Sequence, residues 1–156
     1  MTTITDPRTP VDPRTLAHMS RRGLDDLFRR SPPGPIPAGR ARGTAMALPG
    51  SIVDGVLGGL VRALWWKGKV FDPKAGELRN LIGPLGYPAI RARVYQDRSW
   101  FADGQAIILD YSRTSFVAQK IRDEIRQVGP GLYLGQVYWG KRRVALFMLE
   151  FPSPPS

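Results

Sequence analysis

Residues 105–151 read QAIILDYSRTSFVAQKIRDEIRQVGPGLYLGQVYWGKRRVALFMLEF, and the reading of this stretch decides the fold. Turn signals divide it into four runs: QAIILDY, IRDEIRQV, LYLGQVYW and RVALFMLEF. A strand with one wet face alternates apolar and polar residues. Here Leu132, Leu134 and Tyr138 lie on one side of their strand, and Tyr133, Val137 and Trp139 lie on the other. Something must cover the second face, whether a barrel interior, a helix or a partner chain.

Working back from this stretch, Asp103-Gly104 is a hairpin signal that joins WFA to QAIILDY. The PKAG turn at 73–76 joins WKGKVFD to ELRNLI. Residues 89–95 alternate, with Ile90, Ala92 and Val94 facing one way and Arg91, Arg93 and Tyr95 the other. Residues 115–126 fit a helix or a strand, and the Gly-Pro-Gly turn at 129–131 favours a strand over 121–128. About eight strands with short antiparallel connections predict a barrel or sandwich.

The N-terminal part differs. Residues 1–19 contain three prolines and little apolar content, and are expected to form a disordered or extended tail. Ser20 caps an expected short helix, RRGLDDLFRR, before a Pro-rich linker that ends at residue 40. The barrel domain is expected over 41–151, with a first strand near 42–48 and a short tail at 152–156. Within that domain, residues 51–65 predict the clearest helix. Its apolar stripe runs through Ile52, Val53, Val56, Leu57, Leu60, Val61, Leu64 and Trp65, and it would cover or enter one end of the sheet.

Composition excludes several chemistries. The 156 residues suit one domain, and the absence of Cys removes disulfides and thiolate catalysis. The single His, His18, lies in the Pro- and Arg-rich leader, so a His-based triad or a multi-His metal site is not expected. GVLGG and GPLGYP match neither glycine-rich phosphate-binding pattern. No cofactor and no metal are therefore expected. No apolar run reaches the roughly 20 residues of a membrane-spanning helix, and no secretory signal is visible, so the expected location is the cytoplasm. The net charge of +10 is spread along the chain.

The informative residues are then the polar ones set into apolar strands. Asp110, Glu124 and Tyr111 are the acid/base candidates. Lys69, Tyr95, Tyr111, Arg122, Tyr133, Gln136 and Tyr138 are candidates for orienting a ligand. Each also has a structural reading. Buried charges are normally paired and buried tyrosines find backbone partners, so an ion-pair network could account for Asp110, Arg122 and Glu124 without chemistry.

Residues 63–151 carry the Trp65-Trp66-Lys67-Gly68-Lys69 segment, the ILDYS strand and the PGLYLGQVYWGKRR hairpin. In these they resemble small lipocalin-like β-barrels. The Gly-x-Trp that opens true lipocalins is absent in that form. The resemblance implies a mainly β, antiparallel barrel that binds an apolar or amphipathic small molecule such as a lipid, isoprenoid or polyketide-like compound. The alternatives are an isomerase or cyclase on the same scaffold, and a basic module for an anionic membrane or nucleic acid using Arg91, Arg93, Lys141, Arg142 and Arg143. A homodimer interface would be another way to cover the second apolar face. Peripheral membrane contact would fall to residues 51–67.

Overall fold

The structure is a computed structural model that describes residues 11–47, 67–83, 85, 87–114 and 118–152. The helix expected at 51–65 lies outside these residues, as does nearly all of the expected membrane-contact segment. Among the described residues, no helix is long and apolar enough to cross a membrane.

Eight strands form one closed barrel in chain order. They are β1 (Gly39–Ala47), β2 (Gly68–Asp72), β3 (Glu77–Ile82), β4 (Tyr87–Arg98), β5 (Gln105–Asp110), β6 (Ile121–Gly129), β7 (Leu132–Trp139) and β8 (Arg142–Glu150). Each pairs antiparallel with the next, and β8 closes onto β1 through pairs such as Thr44 with Met148. Of the barrel and the sandwich that the turn spacing allows, the fold is the closed antiparallel barrel, and the ambiguous 121–128 segment is strand. β1 begins at Gly39, slightly earlier than expected, because GRARGTAMA has too few apolar residues to mark its own start.

Alternation sends one set of side chains inward. Ala41, Phe71, Leu78, Ala92, Ile107, Leu109, Ile125, Tyr133, Phe147 and Leu149 are buried together inside the barrel. Gly135 allows this packing, since a Cβ there would run into the ring of Phe147.

The second apolar face has its own cover. Two helices, α1 (Pro13–His18) and α2 (Arg21–Arg30), lie on the outside of β5–β8. Leu16, Leu24, Leu27 and Phe28 pack there against Ala106, Ile108, Leu134, Leu146 and Met148. Each such burial contributes about 1.5–3 kcal/mol. Ser20 caps α2 as expected, its Oγ accepting from the Gly23 amide at 3.1 Å.

Residues 13–18 are helical, which corrects the expectation of an extended tail. Asp12 accepts from the Thr15 amide at 2.6 Å, Pro13 occupies the first turn, and Leu16 is fully buried. Proline at a helix start needs no amide partner, so Asp12-Pro13 is a start signal rather than a break.

The Pro-rich segment after α2 does more than link. It crosses one end of the barrel, where the Pro35 carbonyl accepts from the Tyr133 hydroxyl at 2.7 Å and Ile36 joins the interior core. Phe151 packs there on both Phe71 and Tyr133. That end is sealed. At the other end the inward-facing positions Ala45, Val137 and Ala145 retain solvent exposure.

Candidate functional site

Near the less sealed end, four polar side chains meet inside the barrel. Lys69 is the second residue of β2, Asn80 lies in β3, Tyr111 follows β5 and Asp123 lies in β6. Each falls on the inward phase of its strand, beside Phe71, Leu78, Leu109 and Ile125 respectively. Lys69 Nζ donates to Asn80 Oδ1 at 2.7 Å, to the Tyr111 hydroxyl at 2.7 Å and to Asp123 Oδ2 at 3.2 Å. Its ammonium also lies 5.4 Å from the ring centroids of Tyr111 and Phe147.

Asn80 is held by an irregularity in the sheet. The β3–β4 register shifts between Arg79 and Asn80, because Arg79 pairs with Arg91 and Asn80 with Ala89, leaving Ile90 as the bulged residue of β4 with φ +53°. A β-branched residue rarely enters that region, and such strain persists where the surroundings over-determine it. The Ile90 carbonyl accepts from Asn80 Nδ2 at 3.0 Å, and the same amide donates to the Tyr111 hydroxyl at 2.8 Å.

Burial sets the electrostatics. It pushes the Asp123 carboxyl above the usual carboxylate range, and Lys69 and Tyr111 only partly offset it. Burial likewise raises the Tyr111 hydroxyl, and Lys69 opposes that shift. For Lys69, burial opposes the charge, but Tyr111 and Asp123 outweigh it and keep the ammonium protonated. Asp123 Oδ1 is buried and has no hydrogen-bond partner. An unpartnered buried acceptor is costly, and native structures hold few of them.

Of the candidates read from sequence, Lys69 and Tyr111 are in this cluster. Asn80 and Asp123 were not among them, although both are polar residues at inward positions of otherwise apolar strands. Glu124, one residue on from Asp123, faces outward. It is fully buried and accepts four hydrogen bonds, from Ser99 Oγ (2.6 Å), the Trp100 amide (3.0 Å), Arg122 (2.8 Å) and Gln136 Nε2 (2.9 Å). Gln136 passes the connection to Arg143, whose guanidinium grips Asp25 of α2 at 2.7 and 3.1 Å. Glu124, Gln136 and Arg122 thus tie the 99–102 loop and α2 to the sheet.

Asp110 and Tyr95 are also on the outer surface, joined by a 2.8 Å bond from the Tyr95 hydroxyl. Burial alone would raise the Asp110 carboxyl, but bonds from Ser112 and Tyr95 and the charge of Arg93 hold it below the usual range. With Arg122, Trp100 and Lys141 they line an open groove of about 480 Å³ outside the barrel. Arg122 stacks 3.9 Å from the Trp100 ring centroid, and Tyr138 meets that ring edge-on at 5.2 Å. Tyr133 lies at the sealed end, away from both places. The expected basic face does not form: Arg91 and Arg93 are on β4, whereas Arg142 and Arg143 begin β8, four strands away around the barrel.

Burial, with the negative charge of Glu124 beside it, pushes the Tyr138 hydroxyl from 10.0 up to about 12. An unfolded chain would release this proton near pH 10 while the folded chain keeps it. Folding stability therefore falls as pH rises through this window. Denaturant titrations at pH 9 and near pH 11.5 (values chosen about the ordinary tyrosine range) should show a smaller loss for Tyr138→Phe than for the parent. Equal losses would contradict the assignment.

These features define the chain as a small eight-stranded antiparallel barrel with a polar cluster at one end of its interior. No family model matches the chain, and no curated protein matches it. Among solved structures it is similar to the crystal structure of a protein from Thermomonospora curvata. The two are 23% identical with a TM-score of 0.61, over 86% of this chain and 89% of that one. At that identity the likeness is one of fold.

Proposed function

We propose that the barrel binds an amphipathic small molecule, with its apolar part against the inner wall and its polar end at the Lys69–Asn80–Tyr111–Asp123 cluster. The observation that carries this reading is the buried ion pair with an unused acceptor, Asp123 Oδ1, at the end of the barrel where inward positions remain exposed. Eight-stranded barrels are wide enough to hold one small ligand, as lipocalins do. Native mass spectrometry of freshly purified protein should reveal an adduct that denaturation releases, and Lys69→Met should lose it. Absence of any adduct, together with no binding of an environment-sensitive naphthalene dye, would overturn the reading.

A second reading is favoured by Asp123 itself, a carboxyl whose proton affinity is raised by burial beside a tyrosine. The same cluster would then move a proton to and from the bound molecule, as in an isomerase, with Asp123 as base and Tyr111 as hydrogen-bond donor. Incubating the released compound with protein in deuterium oxide would distinguish the two. Deuterium at a carbon of the ligand supports turnover, and an unchanged mass supports binding alone.

A further inference from the structure

Resting on that reading of the cluster, we propose that the bound molecule is neutral at its polar end and presents a hydrogen-bond donor, an alcohol, phenol or amide N–H, rather than a carboxylate or phosphate. The argument is a count of protons and acceptors. Lys69 gives hydrogen bonds to three oxygens, those of Asn80, Tyr111 and Asp123. Asn80 commits its amide nitrogen to the Ile90 carbonyl and the Tyr111 hydroxyl. The Tyr111 hydroxyl accepts from both and turns its own proton to the Asp123 carboxylate. The donors are thus committed, and what is left over is an acceptor, Asp123 Oδ1.

A charge count gives the same answer. One ammonium faces one carboxylate, with both side chains about 4% exposed. Among the described residues no second cation faces Asp123, so an incoming carboxylate would place a second anion there unbalanced, and a buried unpaired charge is strongly disfavoured. A ligand hydroxyl or amide N–H adds no charge and completes the hydrogen bonding of Oδ1. Hydrogen bonds to charged groups are stronger than neutral ones, so this single contact is a basis for selection.

The test uses the full chain and three matched probes: 1-octanol, octanoate and heptyl methyl ether, a neutral acceptor without a donor. Calorimetric or ligand-observed NMR titration should show 1-octanol binding roughly tenfold or more tighter than either of the others. In Asp123→Asn the margin over octanoate should shrink to about threefold or less, because the anionic acceptor has gone. The parent protein's ranking of the probes tests the proposal even if that variant does not fold. Octanoate or the ether binding as tightly as 1-octanol would overturn the donor requirement and leave the pocket standing. No binding of any probe up to its solubility would overturn the pocket reading as well.

Discussion

Lys69→Met is expected to destabilise the fold by roughly 3–5 kcal/mol, the cost of leaving a buried carboxylate without its partner. Asp123 is 3% exposed, and among the described residues the Lys69 ammonium is the cation bonded to it. Met matches the length of the Lys stem and keeps its packing against Phe147, so the loss would report the charge rather than a cavity. The double variant Lys69→Met, Asp123→Leu should recover most of that stability, since well-packed apolar replacements of buried pairs are often neutral or better. The double variant separates scaffold from site. It should melt close to the parent yet no longer carry a co-purifying molecule. Chemical denaturation of the parent, the two single variants and the double variant gives the coupling directly. A parent-like Lys69→Met would mean that Asp123 is neutral in the folded protein.

Arg126→Ala is expected to cost a comparable amount, roughly 3–5 kcal/mol, for a different reason. The side chain is 2% exposed and its guanidinium donates to four backbone carbonyls. They are Phe28 at 2.9 Å, Arg29 at 3.2 Å, Asp103 at 2.6 Å and Gln105 at 3.1 Å. The first two belong to the last turn of α2, whose carbonyls have no partners within the helix. Asp103 lies in the β4–β5 connection and Gln105 opens β5. One cation therefore fastens the end of α2 to the hairpin beneath it, and it also stacks 5.0 Å from the Phe28 ring centroid. Arg126→Lys should restore only part of the loss, because an ammonium cannot span four acceptors as a planar fork does. Limited proteolysis in residues 20–31 would check the mechanism. Faster cleavage in Arg126→Ala is expected, and unchanged cleavage would show that α2 holds without this clamp.

The barrel was legible in the sequence because its turns are. Asp103-Gly104, the PKAG turn and Gly129-Pro130-Gly131 mark hairpins by backbone chemistry that tertiary context does not override. The need to cover a second apolar face was legible too, from Leu132 and Leu134 against Tyr133 and Val137. Its cover was not, because Leu16 sits in a segment whose prolines suggest extension until Asp12-Pro13 is taken as a helix start. Within the site, Lys69 and Tyr111 stood out as polar residues among aromatic and apolar ones. Asp123 and Glu124 are adjacent, and a phase error of one residue on a strand moves a side chain to the other face. Ile121 and Ile125 share the inward phase with Asp123, and that pattern was the available signal. Asn80 keeps the inward phase of Leu78, but Leu81 beside it is buried as well, so β3 alone does not say which of its faces is the interior.

The helices that cover β5–β8 precede every strand in the chain, and their partners lie in the later strands. Asp25 must find Arg143, 118 positions away, and the Phe28 carbonyl must find Arg126, 98 positions away. Closure of β1 onto β8 spans the chain in the same way. Contacts of such long sequence separation make folding slow. A growing chain would present α1 and α2 early, with their apolar faces bare, and could bury them only once β8 had emerged from the ribosome. Until then both the leader and the outer face of the hairpins are open to wrong partners. Synthesis rate and chaperone supply should therefore govern the yield of this protein more than its final stability does.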